Sequence, residues 1–182
     1  MIKKIILFVC ILLPTASQAW EHEISIGYGG GREIGETYSN SGVFINAVLY
    51  NWGEVDKTLI FTVDGSTGLY YATTSNHKTL ATASISPAFR AYFAKPEEHH
   101  YRPFLLLSSG PVYLSNRTFG TQTQGSNFAL QTVLGGGLEI GDPKAKHNYS
   151  ISWRFVHICN AGVFTPNQGF DVYNIVSLGW TF

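Results

Sequence analysis

Long apolar runs are missing from this 182-residue chain beyond its first 19 residues. That opening stretch, MIKKIILFVCILLPTASQA, carries Lys3 and Lys4, an apolar run from Ile5 to Leu13, Pro14, and the small residues Ser17 and Ala19 at cleavage spacing. The layout predicts a secretory signal peptide over 1–19 and a single domain over 20–182. The apolar run is well short of the roughly 20 residues of a spanning helix, so no helical membrane anchor is expected. Charge is scarce too, at 13% of residues, and split evenly between 12 basic and 12 acidic side chains. Without Lys3 and Lys4 the balance turns slightly acidic, which removes electrostatic support for a nucleic-acid partner. Of two cysteines, Cys10 lies in the leader, so Cys159 has no partner and a disulfide framework is excluded. The bland reading of that thiol is a small apolar filler, but it stands two residues from His157. Capped helical periodicity is also absent.

What the chain has instead is alternation, with 19 glycines and 14% aromatics. Ile24, Ile26 and Tyr28 face away from Ser25, Gly27 and Gly29; Ala83, Ile85, Phe89 and Phe93 face away from Thr82, Ser84, Ser86 and Arg90. Phe128, Leu130, Leu134, Leu138 and Ile140 oppose Ala129, Gln131, Gly135, Gly137 and Glu139, and Tyr149, Ile151, Trp153 and Phe155 oppose Ser150, Ser152 and Arg154. One face is large and apolar, the other small or charged. The last strand ends on Trp180 and Phe182, a terminal aromatic that resembles the assembly signal of bacterial outer-membrane barrels. Strand lengths suit a tilted crossing of ~9 to 11 residues with aromatics at both interfaces, and a closed barrel leaves lipid no unpaired backbone edge.

The expected fold is therefore all-β, an eight-stranded antiparallel transmembrane β-barrel of the outer membrane. Its strands lie near 21–30, 41–52, 56–71, 78–95, 101–116, 126–141, 147–160 and 170–182, with VDGSTG in the third either a bulge or a turn. Eight strands close around an interior that side chains fill, so Arg90, Glu139 and Arg154 are expected in a packed polar lumen and transport is disfavoured. With both termini periplasmic, the segments near 31–41, 71–78, 116–126 and 160–170 face outside.

Strand seven then runs outward into HICNAGVFTPNQGFD, residues 157–171. Residues two apart in a strand share a face, so His157 and Cys159 lie side by side, the local geometry of a base beside a nucleophile. Parity with Tyr149, Trp153 and Phe155 puts both on the lipid face at the outer end, where the leaflet is largely lipopolysaccharide. Counting back from an outward Phe182 places Asp171 on the inward face unless a bulge or the end of the loop re-aims it.

HICNAGVFTPNQGFD resembles the HxSNAGxxxPNxGxE stretch of the PagL-type lipid A 3-O-deacylases, with His, Asn, Ala, Gly, Pro, Asn and Gly at matching spacing. The resemblance implies an outer-membrane esterase that removes the 3-hydroxyacyl chain at position 3 of lipid A, with lipopolysaccharide as substrate. It implies His157 as general base, Cys159 as nucleophile where the family has serine, and Asp171 where the family has glutamate. Asn160, Gly162 and Asn167 then fall in the turn associated with the oxyanion hole. No cofactor and no metal are implied, and a homodimer is compatible with the reading. The competing expectation is a catalytically lapsed structural or ligand-binding barrel, in which Cys159 and Asp171 record lost activity.

Other signals are weak. His99 and His100 beside Glu97 and Glu98 point apart on a short turn and lack zinc-ligand spacing, and His22, His77 and His147 are isolated. GYGGGRE lacks the GKS and helix of a phosphate loop and reads as a flexible loop after the first strand. Asn116 and Asn148 match a glycosylation pattern that has no meaning in a bacterial host.

Overall fold

Alternating side chains closed into a ring account for most of what the computed structural model shows. It describes residues 22–33, 35–74, 76–95, 99–142 and 147–182. The expected leader over 1–19 lies outside the described residues, as do Glu97 and Glu98. The strands are β1 (Glu23–Arg32), β2 (Ser39–Val55), β3 (Leu59–Ala72), β4 (Thr79–Tyr92), β5 (Tyr101–Leu114), β6 (Thr118–Phe119), β7 (Gln122–Thr123), β8 (Phe128–Ile140), β9 (Asn148–Cys159) and β10 (Phe170–Thr181). Eight of them form a closed antiparallel barrel in the order β1-β10-β9-β8-β5-β4-β3-β2, while β6 and β7 form a small hairpin between β5 and β8.

The barrel is inside-out relative to a water-soluble one. Ile26, Leu69, Ile85, Leu105, Leu107, Leu134, Ile151 and Leu178 stand exposed on its wall, with Tyr28, Tyr113 and Phe128 toward one end and Phe93, Tyr101, Tyr149 and Trp180 toward the other. An apolar band between aromatic girdles is the signature of a transmembrane barrel. His22 and Phe182 exchange main-chain hydrogen bonds, which puts both ends of the barrel's chain at one rim.

The lumen has two storeys. Toward the terminal rim it is ionic: Arg90 meets Glu23 at 2.5 Å, Arg102 pairs with Glu139, and the Tyr92 hydroxyl donates to Glu139 Oε2 at 2.5 Å. Arg154 donates to Ser25 Oγ at 3.0 Å and Ser152 Oγ at 3.1 Å. Buried charges persist only when paired in this way. Arg90, Glu139 and Arg154 thus fill the interior as expected, and polar pairs continue beyond them, Asn46 with Asp64 and the buried Gln131 with Ser66. Toward the opposite rim an apolar cluster takes over most of the filling and includes Phe44, Tyr70, Leu80, Leu114, Phe119, Val156, Ile158 and Phe170.

VDGSTG proves to be neither bulge nor turn, since β3 runs through it unbroken. The irregularity sits opposite, in β2, where the register slips between Val48 and Tyr50. The side chain of Leu49 lies over Gly65, where a Cβ would come within 2.9 Å of Leu49 Cδ1.

Candidate active site

β9 carries the cluster to the rim opposite the termini. Its outward residues Tyr149, Ile151 and Trp153 are exposed, and the same parity continues through Phe155 to His157 and Cys159, both half-buried. Across the ladders, His157 faces Thr132 of β8 on one side and Asp171 of β10 on the other, and Cys159 faces Leu130. Cys159 follows His157 on the same face of β9 and is a free thiol among the described residues.

Asp171 reaches the outer face because β10 is bulged. Its register against β9 slips by one residue between Val172 and Ile175, and Asn174 sits in the left-handed region at φ 53°. The Asn174 side chain is held by a hydrogen bond from Trp153 Nε1 at 3.1 Å. An inserted residue reverses the inside-outside alternation. Val176, Leu178 and Trp180 face outward on one side of the bulge, and Asp171 does so on the other. The inward placement expected from counting back from Phe182 is therefore corrected. Asp171 Oδ1 lies 2.6 Å from His157 Nδ1. A carboxylate on Nδ1 orients the ring and leaves Nε2 for proton transfer.

The loop from 160 to 169 is built by its own asparagines. Ala161 and Gly162 take up left-handed backbone at φ 54° and 77°, and the Gly162 N–H donates to Asn160 Oδ1 at 3.0 Å, a turn that an asparagine side chain stabilises. The Asn160 side-chain amide donates to the carbonyls of Phe164 at 2.7 Å and Pro166 at 3.1 Å. Its main-chain N–H donates to Asn167 Oδ1 at 2.9 Å. Asn160, Gly162 and Asn167 are thus brought together next to Cys159, with these donors engaged in shaping the turn.

From the other side the β6–β7 hairpin braces the loop. The Thr123 N–H donates to Gln168 Oε1 at 2.8 Å, the Gly125 N–H donates to the Pro166 carbonyl at 2.6 Å, and Phe119 meets the Phe170 ring edge-on at 5.7 Å.

Residue spacing left several contributors unmarked. A Cβ at Gly169 would lie 2.7 Å from His157 Cε1. Gly169→Ala is therefore expected to push the ring off its partners and lower kcat roughly tenfold to a hundredfold, read by turnover of a barrel that still shows the mobility of the folded form on unheated gels. Glu33 and Asn40, both buried, hydrogen-bond to the main chain of Asp171. Burial pushes the Glu33 carboxyl up to about 7, and the Asp171 carboxylate adds to the rise, against the lowering by the Asp171 N–H and Asn40. Among the other histidines, His100 Nδ1 rests 3.2 Å from the Gly141 carbonyl.

Comparison with known proteins follows the same residues. The sequence model of the family described as lipid A 3-O-deacylase (PagL) matches residues 41–181. The lipid A deacylase PagL of Pseudomonas aeruginosa is 28% identical over 92 residues, which is 50% of this chain and 49% of that protein. The match thus spans about half the length of the curated relative. The crystal structure of the outer membrane enzyme PagL superposes with a TM-score of 0.59 at 20% identity, over 90% of this chain and 99% of that one, a likeness of fold.

Proposed function

The chain belongs to the lipid A 3-O-deacylase (PagL) family, and from that premise we propose that it is an outer-membrane esterase that removes the ester-linked 3-hydroxyacyl chain at position 3 of lipid A. The observation that carries the reading is the His157–Asp171 contact at 2.6 Å on the outer wall of the barrel, with Cys159 two residues along the same face. A base fixed by an acid, next to a nucleophile, at lipid depth near a rim, suits an ester that lies at the junction of sugar and acyl chain.

The steps follow from these groups. His157 Nε2 takes the Cys159 proton, and the thiolate attacks the ester carbonyl carbon. The Asn160 and Gly162 N–H groups are spent inside the turn, so the oxyanion that forms is stabilised by the side-chain amide of Asn167, a donor of a kind worth about 3 to 4 kcal/mol where such donors have been removed. The carbon–oxygen bond to the sugar then breaks, and the imidazolium returns its proton to the departing sugar oxygen. Water, deprotonated by the same histidine, hydrolyses the thioester, which frees the hydroxy fatty acid and restores the thiol. Asp171 holds the ring and steadies the imidazolium throughout. The acyl chain lies along the apolar wall beside Phe155 and Trp153. No metal or cofactor enters these steps.

The test is lipid A mass spectrometry from cells with and without the protein. Loss of one 3-hydroxyacyl chain, abolished in His157→Ala, is the expected result. Lipid A unchanged by the folded parent protein sinks the proposal in favour of a lapsed or ligand-binding barrel.

A further inference from the structure

The barrel's seam opens beside the site. β1 and β10 pair only from Glu23↔Thr181 to Tyr28↔Val176, although β1 continues to Arg32 and β10 begins at Phe170. β1 stays paired with β2 up to Arg32↔Ser39, and β10 stays paired with β9 through Asp171↔His157. The bulge thus separates the first residues of β10 from β1 without separating them from β9. Main-chain donors and acceptors left at such a gap need partners when water is excluded.

Two buried side chains supply them for Asp171. Its N–H donates to the Glu33 carboxyl, at 3.2 Å to Oε1 and 3.3 Å to Oε2. Its carbonyl accepts from Asn40 Nδ2. Asn40 Nδ2 also donates to Glu33 Oε2 at 2.6 Å, which closes the set. Glu33 follows β1 and Asn40 lies at the start of β2, each only 2% exposed. Together they stand in for the missing rung of the ladder.

We infer that Glu33 and Asn40 are positioning residues for the site's acid: a side-chain rung that holds the Asp171 backbone across the open seam so that its carboxylate reaches His157. The inference rests on the proposed roles of His157 and Asp171. Its physical need comes from aspartate's short reach. A side chain one methylene shorter than the glutamate of the family motif can meet the ring only if the backbone beneath it is held close, and slack of about 1 Å is enough to degrade a catalytic contact. What the rung requires of Glu33 is an acceptor for the Asp171 N–H and for Asn40, not a negative charge. The amide of glutamine meets that requirement, whereas the methyl group of alanine does not.

The experiment uses the full chain refolded in detergent micelles, with two readouts on Glu33→Gln, Glu33→Ala and Asn40→Ala. One is the proton resonance of His157 Nδ1–H, assigned by its loss in His157→Ala; the other is kcat and KM on lipid A. Glu33→Gln is expected to keep the resonance in place and kcat within about threefold of the parent. Glu33→Ala and Asn40→Ala are expected to displace it and lower kcat roughly tenfold to a hundredfold with KM within about twofold, as for an interaction made in the transition state. Folding is read from unheated gel mobility; if Glu33→Ala does not fold, Asn40→Ala carries the test, since it leaves Glu33 bonded to the Asp171 N–H. An unmoved resonance and unchanged kcat in a folded alanine variant overturns the inference, and so does a Glu33→Gln as damaged as Glu33→Ala. A parent without turnover on lipid A refutes the esterase reading and leaves the resonance to decide the rung.

Discussion

Cys159→Ala is expected to lower kcat on lipid A by about a thousandfold or more, the scale seen when an enzyme's nucleophile is deleted, while Cys159→Ser keeps or exceeds the parent's activity. The two substitutions differ in one atom, and both replace a half-buried residue opposite Leu130 on the outer wall, so neither should disturb the barrel. Serine supplies the family's own nucleophile at the same place. Sulfur is larger and its bond to carbon longer, so an oxyanion site shaped for serine is approached from slightly the wrong position; against that, a thiol beside a histidine ionises far more readily than a hydroxyl. The measured ratio of serine to cysteine kcat tells which effect wins in this chain. If Cys159→Ala turns over lipid A as fast as the parent, the sulfur takes no covalent part and His157 must be activating water directly.

The barrel was legible because its information is local. Alternation along EISIGYGG or YSISWRFVH states which residues face lipid, and eight such stretches bounded by turns leave little choice of architecture. The pairing of His157 with Cys159 on one face was equally local, a matter of two residues in one strand. Three features were not legible, each because it depends on two strands at once. The bulge that turns Asp171 outward is a slip of β10 against β9, and the left-handed Asn174 that accommodates it carries no unmistakable signature in DVYNIV. The apolar upper storey of the lumen is assembled from β2, β3, β4, β5, β8, β9, β10 and the hairpin, no one of which shows it alone. Glu33 sits at the end of GYGGGRE, a run that reads as a loop, and its meeting with Asp171 spans 138 positions of sequence. Gly169 was visible as a letter of a motif, but its cause, the Cε1 edge of the His157 ring, was not.

Asp171→Asn is expected to reduce kcat by about ten-thousandfold, as in triads where the amide replaces the carboxylate with geometry preserved. The asparagine can still meet His157 Nδ1, but it stabilises the wrong tautomer or offers no charge to the imidazolium, so the loss falls on kcat and the fold is spared. A more discriminating substitution is Asp171→Glu, which restores the residue of the family motif. In isolation that change should help; in this structure it should hurt. Asp171 Oδ1 already lies 2.6 Å from the ring, and the backbone beneath it is bonded to Glu33 and Asn40. An extra methylene adds ~1.5 Å of side chain that must fold back or push the ring toward Gly169, and a loss of roughly tenfold follows from misplacement on that scale. Steady-state turnover of Asp171→Glu against the parent decides the point. A fall means that the shorter acid and the tighter seam form a matched pair in a working site. A rise means that aspartate is a defect here, and it would make Cys159 and Asp171 together the marks of a catalyst in decline.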